Sequence, residues 1–242
     1  KTGTFTGAQL TGEAIELIET GGGTSKLIVT VASGTTSDLS NITNGTGWNL
    51  NADTITINGD DGGGETITGP DLKSTIEGKA GDDTITGGSA NDVIRGGTGD
   101  DILDGGTGTN TLSYSDTAVG TGITIDISSG AQQATGGSGG DTVSNFTHLV
   151  GSDNDDVLTG TSAANTIWGE KGDDNINGNG ASSGNDTLHG GDGADTITSG
   201  GGPATINGGS GGDTLTGTSA DETLNGDDDA DTITSGGGTD TI

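Results

Sequence analysis

The sequence predicts an all-β protein wound as a solenoid of short strands, and three observations predict it. A nine-residue unit recurs in one phase, clearest at Gly96-Gly97-Thr98-Gly99-Asp100-Asp101-Ile102-Leu103-Asp104, with glycines, an acid and a large aliphatic residue at fixed places. An aliphatic residue stands at the eighth position of unit after unit: Ile85, Ile94, Leu103 and Leu112, then Leu158, Ile167, Ile176, Leu188, Ile197, Ile206, Leu215, Leu224, Ile233 and Ile242. Helical periodicity is absent, and the abundance of Gly, Thr and Asn opposes helix.

From Lys1 to about residue 50 the turn pattern is missing, and Ala14-Ile15-Glu16-Leu17-Ile18-Glu19 and Lys26-Leu27-Ile28-Val29-Thr30-Val31 read as strands. The Gly21-Gly22-Gly23 stretch between them suits a hairpin-like or solenoid turn, and Trp48 is placed to close over the first rung. Residues 51–113 form a first solenoid block. It begins imperfectly, with Ile55, Ile67 and Ile76 in half-units that carry weak or absent metal sites, and is regular from Gly78. Residues 114–150 interrupt the period, but Ile123-Thr124-Ile125-Asp126-Ile127 and Val143-Ser144-Asn145-Phe146 alternate as strands and read as wider rungs. Residues 151–242 resume the period, with three extra residues in the unit that starts at Gly178.

Composition explains why a solenoid is needed. With 53 glycines, no cysteine or methionine, and only two Trp, one Tyr and two Phe in 242 residues, the chain cannot fill an ordinary globular core. A rung that stacks one or two aliphatic residues on the next still makes a continuous narrow core. Against 36 acidic residues stand six basic ones, a formal net charge of −30 that opposes compaction and rules out nucleic acid as a partner. Because the acids concentrate in the turns, bound divalent cations are the economical source of neutralisation. Metal then takes the stabilising part that disulfides cannot, since there is no cysteine. No apolar run approaches the roughly 18 residues of a membrane span. Lys1 opens without a Met or a signal-like stretch, so the sequence reads as a mature or excised part of something longer.

The Gly96–Asp104 unit matches G-G-x-G-x-D-x-U-x at every fixed position, and the chain resembles the calcium-binding repeat region of the RTX family of bacterial proteins exported by type I secretion. The resemblance implies a right-handed parallel β-roll in which six residues turn, three form a strand, two units complete a coil, and calcium lies between turns on the same side. The residue types suit that ion: it takes six to eight oxygens at about 2.3–2.6 Å, glycine lets a turn aim carbonyls inward, and a sixth-position acid adds anionic oxygen. Magnesium, which demands octahedral geometry, is disfavoured.

Same-side turns two units apart place their acids 18 residues apart. Asp83 pairs with Asp101, and Asp92 with Asn110, where the amide should weaken the last site of the first block. In the second block one side reads Asp156, Asp174, Asp195, Asp213 and Asp231 without a gap; the other reads Asn165, Asp186, Ala204, Glu222 and Asp240, with a break at Ala204. Fifth-position acids such as Asp82, Asp100, Asp155 and Asp173 are expected to face solvent or to contribute only their carbonyls.

Catalytic chemistry has little to work with. His148 and His189 are the only histidines, and no nucleophilic cysteine or H-E-x-x-H zinc motif exists. The Gly-x-Ser-x-Gly strings at Gly136 and Gly208 lack a strand-to-helix context. The expectation is therefore a non-enzymatic, secreted, extracellular structural protein that folds on millimolar calcium and self-associates, end to end or in a lattice, as a surface layer or matrix filament. Contact with a cell-surface polysaccharide is a further expectation. The alternatives are the carboxy-terminal export and folding module of a larger secreted enzyme or adhesin, and an adhesin stalk that binds glycan or ice.

Overall fold

A computed structural model of the chain describes residues 14–20, 24–42, 54–115, 120–180 and 184–242. Trp48 and Gly21-Gly22-Gly23 lie outside the described residues. Among the described residues the regular structure is strand throughout, apart from a single 3-10 turn at Gly136–Ser138. The chain is a parallel β-solenoid that divides into two compact units: Lys1–Leu112 with Gly139–Phe146, and Ser113–Ser138 with Thr147–Ile242.

In the first unit, Ala14–Thr20 pairs antiparallel with Thr24–Thr30, and every later pairing is parallel. One sheet runs through Thr24–Thr30, Thr54–Asn58, Ser74–Ala80, Val93–Thr98 and Thr111–Ser113; the other runs through Thr36–Asp38, Thr66–Thr68, Thr84–Thr86, Ile102–Asp104 and Gly140–Ser144. Consecutive nine-residue units thus alternate between sheets, and two units make one coil. The registers show it directly: Ile76 faces Ile94, Ile85 faces Leu103, and Ile94 faces Leu112.

The second unit repeats this plan. Thr124–Asp126, Val157–Thr159, Asn175–Asn177, Thr196–Thr198, Thr214–Thr216 and Thr232–Thr234 form one sheet, and His148–Val150, Thr166–Lys171, Asp186–Asp192, Ala204–Ser210 and Thr223–Asp228 form the other. The extra residues after Gly178 leave the stacking undisturbed, since Ile167 still faces Leu188 and Ile176 still faces Ile197. The strands expected in the interruption are rungs of this kind: Thr142–Ser144 pairs with Ile102–Asp104 in the first unit, and Thr124–Asp126 with Val157–Thr159 in the second.

The core is the eighth-position column. Ile76, Ile85, Ile94, Leu103 and Leu112 in one unit, and Leu158, Ile167, Ile176, Leu188, Ile197, Ile206 and Leu215 in the other, are fully buried. Each contributes about 1.5–3 kcal/mol by leaving water. Ile242, in the same phase, is exposed.

Candidate metal sites

Side chains alternate across a strand, so the sixth residue of each unit lies on the same side as the eighth and is carried inward with the core. That period, and not any polarity preference, buries the turn acids. Asp83, Asp92, Asp101, Asp156, Asp174, Asp186, Asp195, Asp213 and Glu222 are no more than 2 % exposed, and Asn110 and Asn165 are buried beside them. Asp231 and Asp240 are half-buried. A buried carboxylate needs partners or its burial is strongly unfavourable.

The first partner is a backbone amide of the preceding coil. In the first unit, Oδ1 of Asp83 accepts from the N–H of Glu65 at 2.6 Å, Oδ1 of Asp92 from Ser74 at 2.8 Å, and Oδ1 of Asp101 from Asp83 at 2.8 Å. In the second, Oδ1 of Asp174 accepts from Asp156, Oδ1 of Asp195 from Asp174, Oδ1 of Asp213 from Asp195 and Oδ1 of Asp231 from Asp213, all at 2.8–2.9 Å. The Asp156–Asp231 column is therefore one continuous hydrogen-bonded ladder. On the opposite side, Oδ1 of Asp186 accepts from Asn165 at 2.9 Å and Oδ1 of Asp240 from Glu222 at 3.1 Å, but the Asp186 N–H turns to the Pro203 carbonyl because Ala204 offers no acceptor.

The second oxygen is different. Oδ2 of Asp83, Asp92, Asp101, Asp174, Asp186, Asp195 and Asp213, and Oε2 of Glu222, are buried without a hydrogen-bond partner. They do not point into empty space. At Gly78 an added Cβ would strike both Oδ2 of Asp83 and the carbonyl oxygen of Gly96 in the next coil. Gly169 likewise sits against Oδ2 of Asp174 and the Gly190 carbonyl, and Gly190 against Oδ2 of Asp195 and the Gly208 carbonyl. Each cradle thus brings a carboxylate oxygen and carbonyl oxygens of stacked turns toward one small space that holds no donor. Converging acceptors without a donor repel one another, and a hard cation, which takes oxygen ligands alone, relieves that repulsion. Among the described residues no three acidic or histidine side chains gather at one point, so the donor set is rich in carbonyls, with single carboxylates added by individual turns. The residues present fit calcium on these grounds.

Burial also raises the carboxyl pKa values. Desolvation carries Asp83, Asp92 and Asp195 up to about 6, Asp101 to about 7 and Asp174 to about 8, and neighbouring carboxylates add to the rise for Asp83, Asp101, Asp174 and Asp195. Burial raises Asp156, Asp186 and Asp213 as well.

A family model for the RTX calcium-binding nonapeptide repeat matches the chain in four copies, at residues 77–112, 150–182, 181–206 and 207–242, together just over half of its length. The chain belongs to the RTX repeat family. RTX repeats bind calcium ions in their turns, and the orphaned carboxylate oxygens described above all lie within the matched stretches. No curated protein matches the chain.

Two RTX column members escaped the sequence reading. Glu65, buried ahead of Asp83, lies in a half-unit with irregular spacing and directs Oε1 to the N–H of Gly34 at 2.9 Å. Asp141 continues the Asp83–Asp101 column, its Oδ1 accepting from the Asp101 N–H at 3.1 Å across 40 residues. The signal for Asp141 was its neighbourhood, Gly139-Gly140-Asp141-Thr142-Val143, which echoes Gly211-Gly212-Asp213-Thr214-Leu215. The fifth-position acids also do more than face solvent. Oδ1 of Asp82 accepts from the N–H of Asp100, Oδ1 of Asp100 from Gly140, Oδ1 of Asp155 from Asp173 and Oδ1 of Asp173 from Ala194, at 2.8–2.9 Å. They form a rim ladder opposite in sense to the buried one, reaching forward to the next coil where sixth-position acids reach back.

Asn110 shows what an amide does in a sixth position. Its Oδ1 keeps the ladder bond to the Asp92 N–H at 3.0 Å, while its Nδ2 donates to the carbonyls of Thr107 and Asn145. The amide's own donor thus takes the place at which the aspartates present a bare oxygen.

Proposed function

We propose that this RTX chain is an extracellular, non-enzymatic structural protein that folds when it meets calcium and self-associates into a surface layer or matrix filament. The observation that carries this reading is the column of buried carboxylate oxygens without a partner, set in a chain of net charge −30. Without cations the coils repel one another; with them, binding energy becomes folding energy. Sites with dissociation constants of about 0.1–1 mM suffice outside a cell and stay empty inside one.

The two histidines favour a structural role over a catalytic one. His189 stacks on Trp168 with ring centroids 5.9 Å apart and planes 7° from parallel, and His148 meets the same indole edge-on at 6.2 Å. With one face already stacked on His189, Trp168 is also a poorer platform for stacking a sugar. Contact with a surface polysaccharide would use other parts of the molecule.

The test is a calcium titration of chelated protein followed by far-ultraviolet circular dichroism and light scattering together, with magnesium as control. A cooperative transition to β-structure with rising scattering supports a self-assembling structural protein. The same transition without scattering favours a folding module of a larger secreted protein, and a spectrum indifferent to calcium overturns the reading.

A further inference from the structure

The turns fall into two kinds, separated by the backbone of their second residue. Ahead of Asp83, Asp92, Asp101, Asp174, Asp186, Asp195 and Asp213 the second residue is Lys79, Gly88, Gly97, Glu170, Asn179, Gly191 or Gly209, and each has a positive φ, from 56° at Asn179 to 125° at Gly88. In all these turns Oδ2 of the acid is without a partner.

Three turns carry Ser or Thr at the second position instead, and none of those residues has a positive φ. For Thr161 and Thr218 the β-branch itself resists the left-handed region, and Ser152 shares their backbone because its amide and hydroxyl both close on the acid. The consequence is local and repeated. The N–H of Ser152 donates to Oδ2 of Asp156 at 2.6 Å and its hydroxyl to Oδ1 at 2.8 Å. Thr161 gives N–H and hydroxyl to Oδ1 of Asn165 at 2.7 and 3.2 Å. Thr218 gives both to Oε1 of Glu222 at 3.1 and 2.9 Å. Such hydroxyl-plus-amide clasps compete with other turn closures. Asp156 is thereby satisfied on both oxygens, and Asn165 completes its set by donating Nδ2 to the Thr147 carbonyl at 2.8 Å. Glu222 keeps one bare oxygen.

We propose that the second residue of a turn decides whether that turn closes on calcium or on itself: a left-handed second residue leaves the acid to the cation, whereas Ser152 and Thr161 supply the donors a cation would replace, and the longer Glu222 keeps one oxygen for a cation despite the Thr218 clasp. The sixth-position acid is then not sufficient to mark a metal site. Asp156 is the decisive instance, because it has the acid and lacks the need. The proposal rests on the calcium assignment.

The test counts bound calcium per chain in the 242-residue protein by competition with a chromophoric chelator, with the thermal transition in saturating calcium as the check on folding. Ser152→Gly is expected to gain one calcium ion. Glu170→Ser, at a position where a side chain is already accommodated, is expected to lose one while still folding. An unchanged count in Ser152→Gly, with wild-type binding intact, overturns the proposal alone; a wild type that binds no calcium overturns the metal assignment beneath it.

Discussion

The backbone N–H of Asp174 donates to Oδ1 of Asp195 at 2.8 Å, so that the acid of one coil is anchored by the coil before it. Asp174, Asp195 and Asp213 therefore each hold two coils together and offer the remaining oxygen to a cation. Asp195→Ala removes both functions and strands a buried amide, which costs about 1–3 kcal/mol; its thermal transition in saturating calcium should fall accordingly. Asp195→Asn, which can keep the Asp174 bond as Asn110 keeps that of Asp92, should lose calcium with a smaller loss of stability.

Acid should partly substitute for calcium. Asp101 and Asp174 titrate near 7 and 8 in the metal-free fold because burial disfavours their charge, whereas an unfolded aspartate titrates at about 3.9. A folded value above the unfolded one means protonation stabilises the fold: the contribution is complete below about pH 3.9 and is lost as pH rises through the folded values. In chelator, lowering pH from about 8 to about 5 should raise the β-signal in circular dichroism. With calcium present the same protons compete for the ligands, so the calcium midpoint should move to higher concentration over that range. A metal-free chain whose β-signal falls on acidification would contradict both expectations.

The left-handed second position offers a paired test in the first unit. Lys79, at φ 81°, carries a side chain where glycine is the natural occupant, and Lys79→Gly should stabilise by about 1 kcal/mol. Gly97, its partner one coil on, has φ 109° and no room, since an added Cβ would run into the Lys79 carbonyl. Gly97→Ala should cost more than Lys79→Gly gains, measured as the shift in thermal midpoint at fixed calcium.

The broken column can be mended. Ala204→Asp places a carboxylate in register with Asp186, whose amide now settles for the Pro203 carbonyl at 3.2 Å. Calcium stoichiometry should rise by one and the transition temperature with it. An unchanged count would mean that the Pro203 turn cannot supply the carbonyls.

Much of this architecture was legible because a single spacing encodes it. The nine-residue phase places Leu103 over Ile85 and Asp101 over Asp83, and the same arithmetic exposes the gap at Ala204. What stayed hidden depends on directions that spacing does not carry. Asp141 is a full member of the column, but 40 residues separate it from Asp101, so no count by eighteens reaches it. The rim bonds of Asp82 and Asp155 depend on which way a turn amide points. The Ser152 clasp depends on the sign of one dihedral angle. Glu65 was obscured by the uneven spacing around it.

The buried and rim ladders run in opposite senses across the same coil boundary, and this has a consequence for the length of the molecule. Sliding one coil by a single residue would exchange inward and outward acids and break both sets of bonds at once. Sliding by a whole coil preserves the Asp156–Asp231 ladder, because on that side the partner that arrives is of the same kind as the one that left. If residues 190–207 were excised, Ile176 would meet Leu215 and the Asp174 amide would meet Asp213, each contact replaced by its like. Alignment between neighbours on this side is thus tightly policed while the number of coils is not, so a coil can be duplicated or lost there with the Asp156–Asp231 ladder intact.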